Sequence, residues 1–391
     1  MSNGERLPVL IDESGIPHFR SLAWILCEKR PKNSSRTLVG HLEAVNILYD
    51  WALENSICLE SRLGTKNFLE LNEIYSLADY SHKKRSDSRT WTADGNDVSY
   101  VSKPQHAARV SSIIAFLRYF SETRLRETKT RNQLPRRFHE IRDDRLRTLS
   151  TLISYPGKRN SAFTTKKALS ESECKRLLEI TTPGAPENPW RSSDVQFRNS
   201  LIIRTFFQLG IRRGELAGMR TDLINIQKCT IIIARDPDSQ TDPRTRQPLT
   251  KTCDRELPIS KQLFDDILHY ILYIRPKILQ ARLSPYIFTN AYNGKPISLC
   301  AINYLFKEMR KPLGASLPLV TPHILRHTCA THLAEAFHKN GVDPGKSDRL
   351  ISELMGWKAG SNTIQTYTRR FIKEESDKLT LKWQSEFFKH E

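Results

Sequence analysis

The chain has 391 residues, with 61 Lys and Arg against 43 Asp and Glu and a formal net charge of +18. That surplus disfavours an acidic small-molecule ligand and favours a polyanionic partner, nucleic acid first. No segment approaches the roughly 20 consecutive apolar residues of a bilayer span, the first fifteen residues lack a signal peptide's apolar run, and seven scattered cysteines include no Cys-x-x-Cys pair. A soluble, cytoplasmic, nucleoid-associated protein without a membrane partner is therefore expected, long enough for two domains.

In chain order, two short apolar runs around Glu13-Ser-Gly-Ile-Pro17 predict a small hairpin or extended arm over residues 1–35. From 36 to 125 the apolar period is helical: Leu38, Leu42, Val45, Leu48 and Ala52, then Phe68, Leu71, Ile74 and Leu77, then Val110, Ile113, Phe116, Leu117 and Phe120. This predicts a small helical domain, with Lys83, Lys84, Arg85, Lys103 and Arg109 near helix ends, where cations can meet phosphates. Residues 122–167 hold thirteen Lys and Arg against five acids. Their low apolar content predicts a basic interdomain connection over 126–167 with one helix over 140–153, in contact with DNA rather than with a core. The residues expected to bind DNA are Arg109, Arg124, Arg126, Lys129, Arg131, Arg136, Arg137 and Arg159.

A second domain over 168–372 opens at the capping box Ser170-Glu-Ser-Glu173, with a helix running to 180. Helices over 195–209 and 213–219 follow, then a strand at 231–233, a polar, turn-rich stretch over 235–251 and renewed extended structure over 255–259. The remainder reads as helical, and residues 373–391 form a tail with Leu379, Leu381, Trp383, Phe387 and Phe388 among charges.

The chemistry-bearing residues lie in this second domain. Gly210 ends an apolar helix, Arg212 follows in the turn, and Glu215 stands three residues later; an Arg beside a carboxylate is oriented, and its planar fork suits phosphate oxygens. Thr321 and Pro322 start a helix from which His323 and Arg326 are expected to project on one face, near amides that favour an anion. Pairing His323 with His327, and adding His332, gives a zinc reading, but Ile324 stands where a zinc-protease helix needs its Glu. No metal and no cofactor is expected.

Arg212 with Glu215-Leu216, Lys251, His323 with Arg326-His327, Gly356-Trp357 and Tyr367 come in the order found in the tyrosine recombinases of the phage integrase family, which this chain resembles from about 169 to 370. The resemblance implies an α+β, predominantly helical fold: an N-terminal helical core-binding, SAM-like domain, then a catalytic domain of helices around a small antiparallel sheet. It further implies two domains embracing opposite faces of duplex DNA. Tyr367 would attack the scissile phosphate to form a 3′-phosphotyrosyl bond. Arg212 and Arg326 would neutralise the nonbridging oxygens, Lys251 would protonate the leaving 5′-oxygen, and His323 would assist proton transfer. Trp357 would donate its indole N–H or pack against Tyr367, with Glu215 and His327 in support. Arg255 and Lys228 are the other candidates for the hairpin cation. The implied reaction is site-specific recombination for a mobile element through a Holliday junction. It would run as a homo-oligomer, a dimer on each site and a tetramer in synapsis, with the tail docked on a neighbour and with partner recombinases or a directionality factor as further partners. The alternatives are a catalytically silent DNA-binding regulator of the same fold, and a topoisomerase or telomere resolvase sharing the phosphotyrosine step. An RNA-binding reading has only the charge in its favour.

Overall fold

The computed structural model describes residues 6–63, 68–84, 99–127, 135–153, 168–234, 236, 239–245, 247–248, 253–313, 319–357, 376–377 and 379–386. The chain divides into two compact units, Met1–Ala162 and Phe163–Glu391.

The first unit is helical. A tight turn opens it: the Asp12 carboxylate accepts from the backbone N–H of Ser14 and Ile16 at 2.9 and 2.8 Å, and Ile11 bridges Pro17. Helix α1 (Phe19–Trp24) follows and continues in helical turns to Lys32. Trp24 and Ile25 are wholly buried in the helical core, so from Phe19 onward the stretch expected as a small hairpin or extended arm is packed helix, while the turn bridged by Ile11 and Pro17 is hairpin-like. Helix α2 (Ser35–Glu54) places Leu38, Leu42, Val45, Leu48 and Trp51 on one buried stripe, the three-and-four spacing of an amphipathic helix. It packs with α4 (Leu71–His82) and α5 (Lys103–Glu127), while α3 (Leu59–Arg62) closes the connection after α2. Phe116 on α5 meets the rings of Trp24, Tyr49 and Phe120 at 5.2–6.0 Å, the edge-on and tilted geometries that aromatic quadrupoles favour.

Helix α6 (Pro135–Leu152) corrects the reading of 126–167 as a connection too polar for a core. Phe138, Leu146, Leu149 and the following Ile153 are buried in the first unit, with Ile141 packed beside them. Their spacing is helical, but the arginines between them hide the stripe. Arg142, 5% exposed, turns inward to Glu122 and Asp143.

The second unit opens with α7 (Glu171–Thr181), whose Ser170 hydroxyl accepts from the Glu173 N–H, and α8 (Ser193–Leu209). Short α9 (Arg213–Gly218) leads into a three-stranded antiparallel sheet in the order β1 (Ile224–Asn225), β2 (Thr230–Ile233), β3 (Arg255–Pro258). Ile231 pairs with both Ile224 and Leu257; Ile231, Ile233 and Leu257 face the core while Ile232 and Glu256 face out. Strand β1 carries no signal in the sequence, since two residues leave no alternation to detect. Helices α10 (Lys261–His269), α11 (Leu279–Arg282), α12 (Leu299–Leu313), α13 (Pro322–Lys339) and α14 (Pro344–Met355) complete the unit. Phe206 of α8, Phe264 of α10, Phe306 of α12 and Leu325 of α13 meet in one core. The Thr328 hydroxyl accepts from the Leu169 N–H at 2.9 Å and so ties the start of the unit to α13.

Phe116→Ala should cost the first unit about 3–5 kcal/mol in a denaturant titration, because neighbours from several helices border the cavity and limit its collapse. His106 generates a second expectation. Burial and the stacked His82 ring, 4.5 Å away, lower its pKa, and its Nε2 lies 2.9 Å from the Ser81 hydroxyl. The unfolded chain therefore binds a proton near pH 6.5 that the folded unit refuses. Stability is complete above that value and falls as pH drops from about 6.5 toward the lower folded pKa, by at most about 1.4 kcal/mol per pH unit for this residue. His106→Asn should flatten that slope, by one proton at most, when unfolding is followed from about pH 7.5 to about pH 5.5.

Candidate active site

Helix α8 ends at Gly210, whose left-handed φ of 57° turns the chain into Arg212. Glycine is required on two counts: the conformation, and the space, since a Cβ here would lie 2.6 Å from Met355 Cε and 3.0 Å from Cys329 Sγ. Beyond the turn, Glu215 accepts from the Arg212 backbone N–H at 2.9 Å, satisfying one of the open donors at the start of α9.

The Glu215 side chain is wholly buried and has three arginines around it. Arg255 Nη2 donates to Oε2 at 2.8 Å, Arg212 Nη1 lies 3.5 Å from Oε1, and Arg326 Nη1 lies 4.0 Å from Oε2. A buried carboxylate would be costly alone; with three guanidinium groups against one carboxylate the cluster instead keeps a positive surplus. Arg212 caps the short helix with a side chain one-third exposed, and among the described residues its Nη1 has the Glu215 ion pair but no hydrogen bond. The exposed part of its guanidinium, rather than the buried Nη1, is what an incoming anion would meet.

Arg326 corrects the expectation that it projects with His323 from one face at the start of the helix. It is 1% exposed and points inward from α13, donating through Nη1 to the Gly210 carbonyl and through Nη2 to the Met355 carbonyl, both at 2.6 Å. Its guanidinium lies over the Trp357 ring, 5.4 Å from the centroid. Those two carbonyls belong to the left-handed turn after α8 and to the end of α14, so one side chain joins three helices. Gly356, also left-handed, ends α14 and allows Trp357 N–H to reach back to the Ser352 carbonyl at 2.8 Å.

His323 is exposed on the first turn of α13, where the Thr321 hydroxyl accepts from the Ile324 N–H at 3.2 Å. The side chain it meets is His327, one turn on and buried, with the Nε2 atoms 3.1 Å apart. His332 faces the Leu169 carbonyl instead, and among the described residues no group of three His, Cys, Asp or Glu could hold a metal ion. Arg212, Glu215, Arg326 and Trp357 are thus brought together, with His323 and His327 on the same helix as Arg326. Lys251 and Tyr367 lie outside the described residues.

In sequence Arg255 stands only as a rival to Lys251 for the hairpin cation. Its side chain, 6% exposed, is fully committed: the fork binds Glu215, and Nε donates to the Leu354 carbonyl at 2.7 Å. It therefore positions the cluster from β3 and latches the end of α14. Lys228, the other rival, stands in the short β1–β2 turn, where its backbone N–H donates to the Asn225 side chain.

Among the residues expected to bind DNA, two are engaged within the first unit. Arg109 donates to the Ser81 and Lys83 carbonyls at the end of α4, and Arg124 pairs with Glu60 and Glu127. Arg126 and Arg137 are exposed. Lys129, Arg131, Arg159 and the side chain of Arg136 lie outside the described residues.

Arg255→Met should destabilise the second unit by about 3–5 kcal/mol, the effect of breaking a buried pair and leaving a charge behind. Arg255→Lys should lose about half as much, since an ammonium keeps the charge without the fork that spans Glu215 and Leu354. Denaturant unfolding read by tryptophan fluorescence checks both, and a Met variant as stable as the wild type would contradict the assignment.

The model of the phage integrase family matches residues 167–374. Among curated proteins, tyrosine recombinase XerA of Pyrococcus furiosus is 28% identical over 225 residues, covering 56% of this chain and 63% of the relative. XerA of Thermococcus kodakarensis is 30% identical over 207 residues, covering 52% and 58%. The chain thus spans less than two thirds of the length of these relatives. A solved structure of the Tn1549 transposon integrase, in complex with transposon right end DNA, superposes with a TM-score of 0.51 at 15% identity, covering 91% of this chain and 98% of that one; at that identity the likeness is one of fold. With the family's model covering more than half of its residues, from just before α7 to beyond Trp357, the chain belongs to the phage integrase family.

Proposed function

We propose that the protein is a site-specific tyrosine recombinase that cuts and rejoins duplex DNA, in the service of a mobile element, through a 3′-phosphotyrosyl intermediate. The observation that carries the reading is the buried Glu215 carboxylate with Arg212, Arg255 and Arg326 around it, a preorganised surplus of positive charge, with the exposed His323 on the same helix as Arg326. Such a cluster suits an anion whose charge grows as the phosphate becomes a pentavalent phosphorane, and each well-placed donor is worth roughly two to three orders of magnitude in rate.

The steps balance without an external energy source. A phenol with a pKa near 10 is a weak nucleophile at neutral pH, so its proton must leave as it attacks, and His323 is the group assigned to assist that transfer. The Tyr367 oxygen bonds to phosphorus, the bond from phosphorus to the 5′-oxygen breaks, and Lys251 gives that oxygen the proton that makes it a 5′-hydroxyl. Attack by the 5′-hydroxyl of another strand reverses the sequence and frees Tyr367. The phosphodiester energy is stored in the protein–DNA bond, so ATP is not needed. Trp357 has an indole N–H that donates and cannot accept, so its part is to support Arg326 and the phosphate, not to act as a base.

Pairwise exchange through a Holliday junction then requires a tetramer of single-nucleophile protomers. The described part of the C-terminal tail, helical over 379–386, exposes Leu379, Leu381 and Trp383. Leu379 and Trp383 lie on one face of that helix, and their exposure supports docking of the tail on a second copy. Exposed Arg126 and Arg137 support contact of the first unit with the DNA backbone.

The test uses the full chain and a pool of nicked duplexes drawn from the DNA flanking its gene. The wild type should form an SDS-resistant adduct on the 3′-phosphate side and Tyr367→Phe should form none. An adduct of equal yield in the variant would remove Tyr367 as nucleophile, and no adduct with wild type across the pool would favour the silent DNA-binding regulator.

A further inference from the structure

The three guanidinium groups around Glu215 do not share its carboxylate equally. Arg255 is the first residue of β3, its backbone paired with Ile233 of β2, and its fork takes both oxygens: Nη2 donates to Oε2 at 2.8 Å and Nη1 to Oε1 at 3.3 Å. Its third nitrogen, Nε, donates to the Leu354 carbonyl at 2.7 Å. Arg326 is held by the Gly210 and Met355 carbonyls, which leave its Nη1 4.0 Å from Oε2. Arg212 gives Oε2 its backbone N–H at 2.9 Å, while its side chain stays at ion-pair range, with Nη1 3.5 Å from Oε1 and no hydrogen bond from that nitrogen among the described residues.

That spacing describes a competition. Arg212 caps the short helix that holds Glu215, three residues on, a separation at which two helical side chains are neighbours. A movement of less than about 1 Å would bring Nη1 into hydrogen-bond range of Oε1. A guanidinium closed on the carboxylate would carry its exposed edge inward and offer a phosphate less of its charge and of its fork. Arg255 reaches the carboxylate from a separate strand and meets it in the bidentate geometry that an arginine prefers, so Glu215 is neutralised without spending Arg212.

We infer that Arg255 is a positioning residue for the reaction, the counter-ion that occupies Glu215 and so keeps the Arg212 guanidinium for the scissile phosphate. This rests on the reading of the protein as a strand-cleaving recombinase with Arg212 on that phosphate. Glu215 then holds the backbone of Arg212, and Arg255 stops it from taking the side chain as well. Misplacement of a catalytic group by about 1 Å can cost on the order of a hundredfold. The loss of Arg255 therefore acts through Arg212 and through the charge of Glu215, a dependence that support of the fold alone does not create.

The test follows single-turnover formation of the SDS-resistant adduct by the full chain, on the site recovered from the nicked pool, at a temperature where denaturant titration shows each variant folded. Arg255→Lys keeps the charge, but an ammonium lacks the second arm of the fork and leaves Oε1 open to Arg212. It should slow adduct formation about ten- to a hundredfold in the natural background, and by less than about threefold when combined with Arg212→Ala, which is itself slowed by roughly two to three orders of magnitude. The double variant Glu215→Gln with Arg255→Met removes counter-ion and captor together, which spares the fold an unpaired buried charge, and it should react about tenfold faster than Arg255→Lys. An unimpaired Arg255→Lys, an equal loss in both backgrounds, or a double variant no faster than Arg255→Lys would each overturn the inference. Should Arg212→Ala give no measurable adduct, the double variant decides alone. An Arg212→Ala variant as fast as the wild type would take Arg212 off the phosphate, and the inference with it, whereas a wild type that forms no adduct would bring down the strand-cleavage reading itself.

Discussion

The buried carboxylate of Glu215 is the constraint around which the second unit is arranged. An ionised group without solvent must be met by cations and donors from every side, and these come from separate parts of the chain: Arg212 from its own turn, Arg255 from β3, Arg326 from α13. The arginines in turn bind carbonyls at Gly210, Leu354 and Met355. The end of α8, the start of the third strand, the first turns of α13 and the end of α14 therefore meet at one point. Gly210 makes the meeting possible, because no larger residue would let the turn after α8 approach Met355 so closely.

The same arrangement bears on the proposed reaction, in which charge grows. Arg255 and Arg326 are enclosed and held by fixed acceptors, so little reorganisation is left to them when an anion arrives. Arg212, partly exposed, is the member that can meet the anion first. Separation of tasks follows: two guanidinium groups set the field and the frame, and one is open to contact. His323 lies at the exposed start of α13 with its Nε2 against His327 Nε2, on a helix anchored by the buried Arg326.

Much of this was legible in the sequence where a local rule governs. The helical stripes of α2, α4 and α5, the Ser170 cap, the Thr321-Pro322 start and the Gly210 turn are dictated by neighbours a few residues away. What depends on distant contact was not. Spacing places His323 and Arg326 near one another along a helix but cannot say that Arg326 turns inward, because the carbonyls that hold it are supplied by Gly210 and Met355. Arg255 read as a spare cation because the carboxylate it binds lies forty residues away. The region of helix α6 reads in sequence as a DNA-contacting connection with one helix over 140–153, because five arginines crowd a stripe of apolar residues and composition outweighs period.

Net charge is correspondingly a poor map of an interface. Of the basic residues between 122 and 153, Arg142 is buried against Glu122 and Arg124 is paired with Glu60 and Glu127, so neither offers a full charge to a phosphate. In the second unit Arg244 is likewise spent on Asp242 and two carbonyls. Such arginines organise the fold, and their removal would change polyanion binding only through the fold. Cations that release counterions on binding are those whose charge remains in solvent, and exposed Arg126 on α5 and Arg137 on α6 are of that kind. A count of basic residues thus sets the class of partner, while the pattern of internal pairing decides which of them the partner meets.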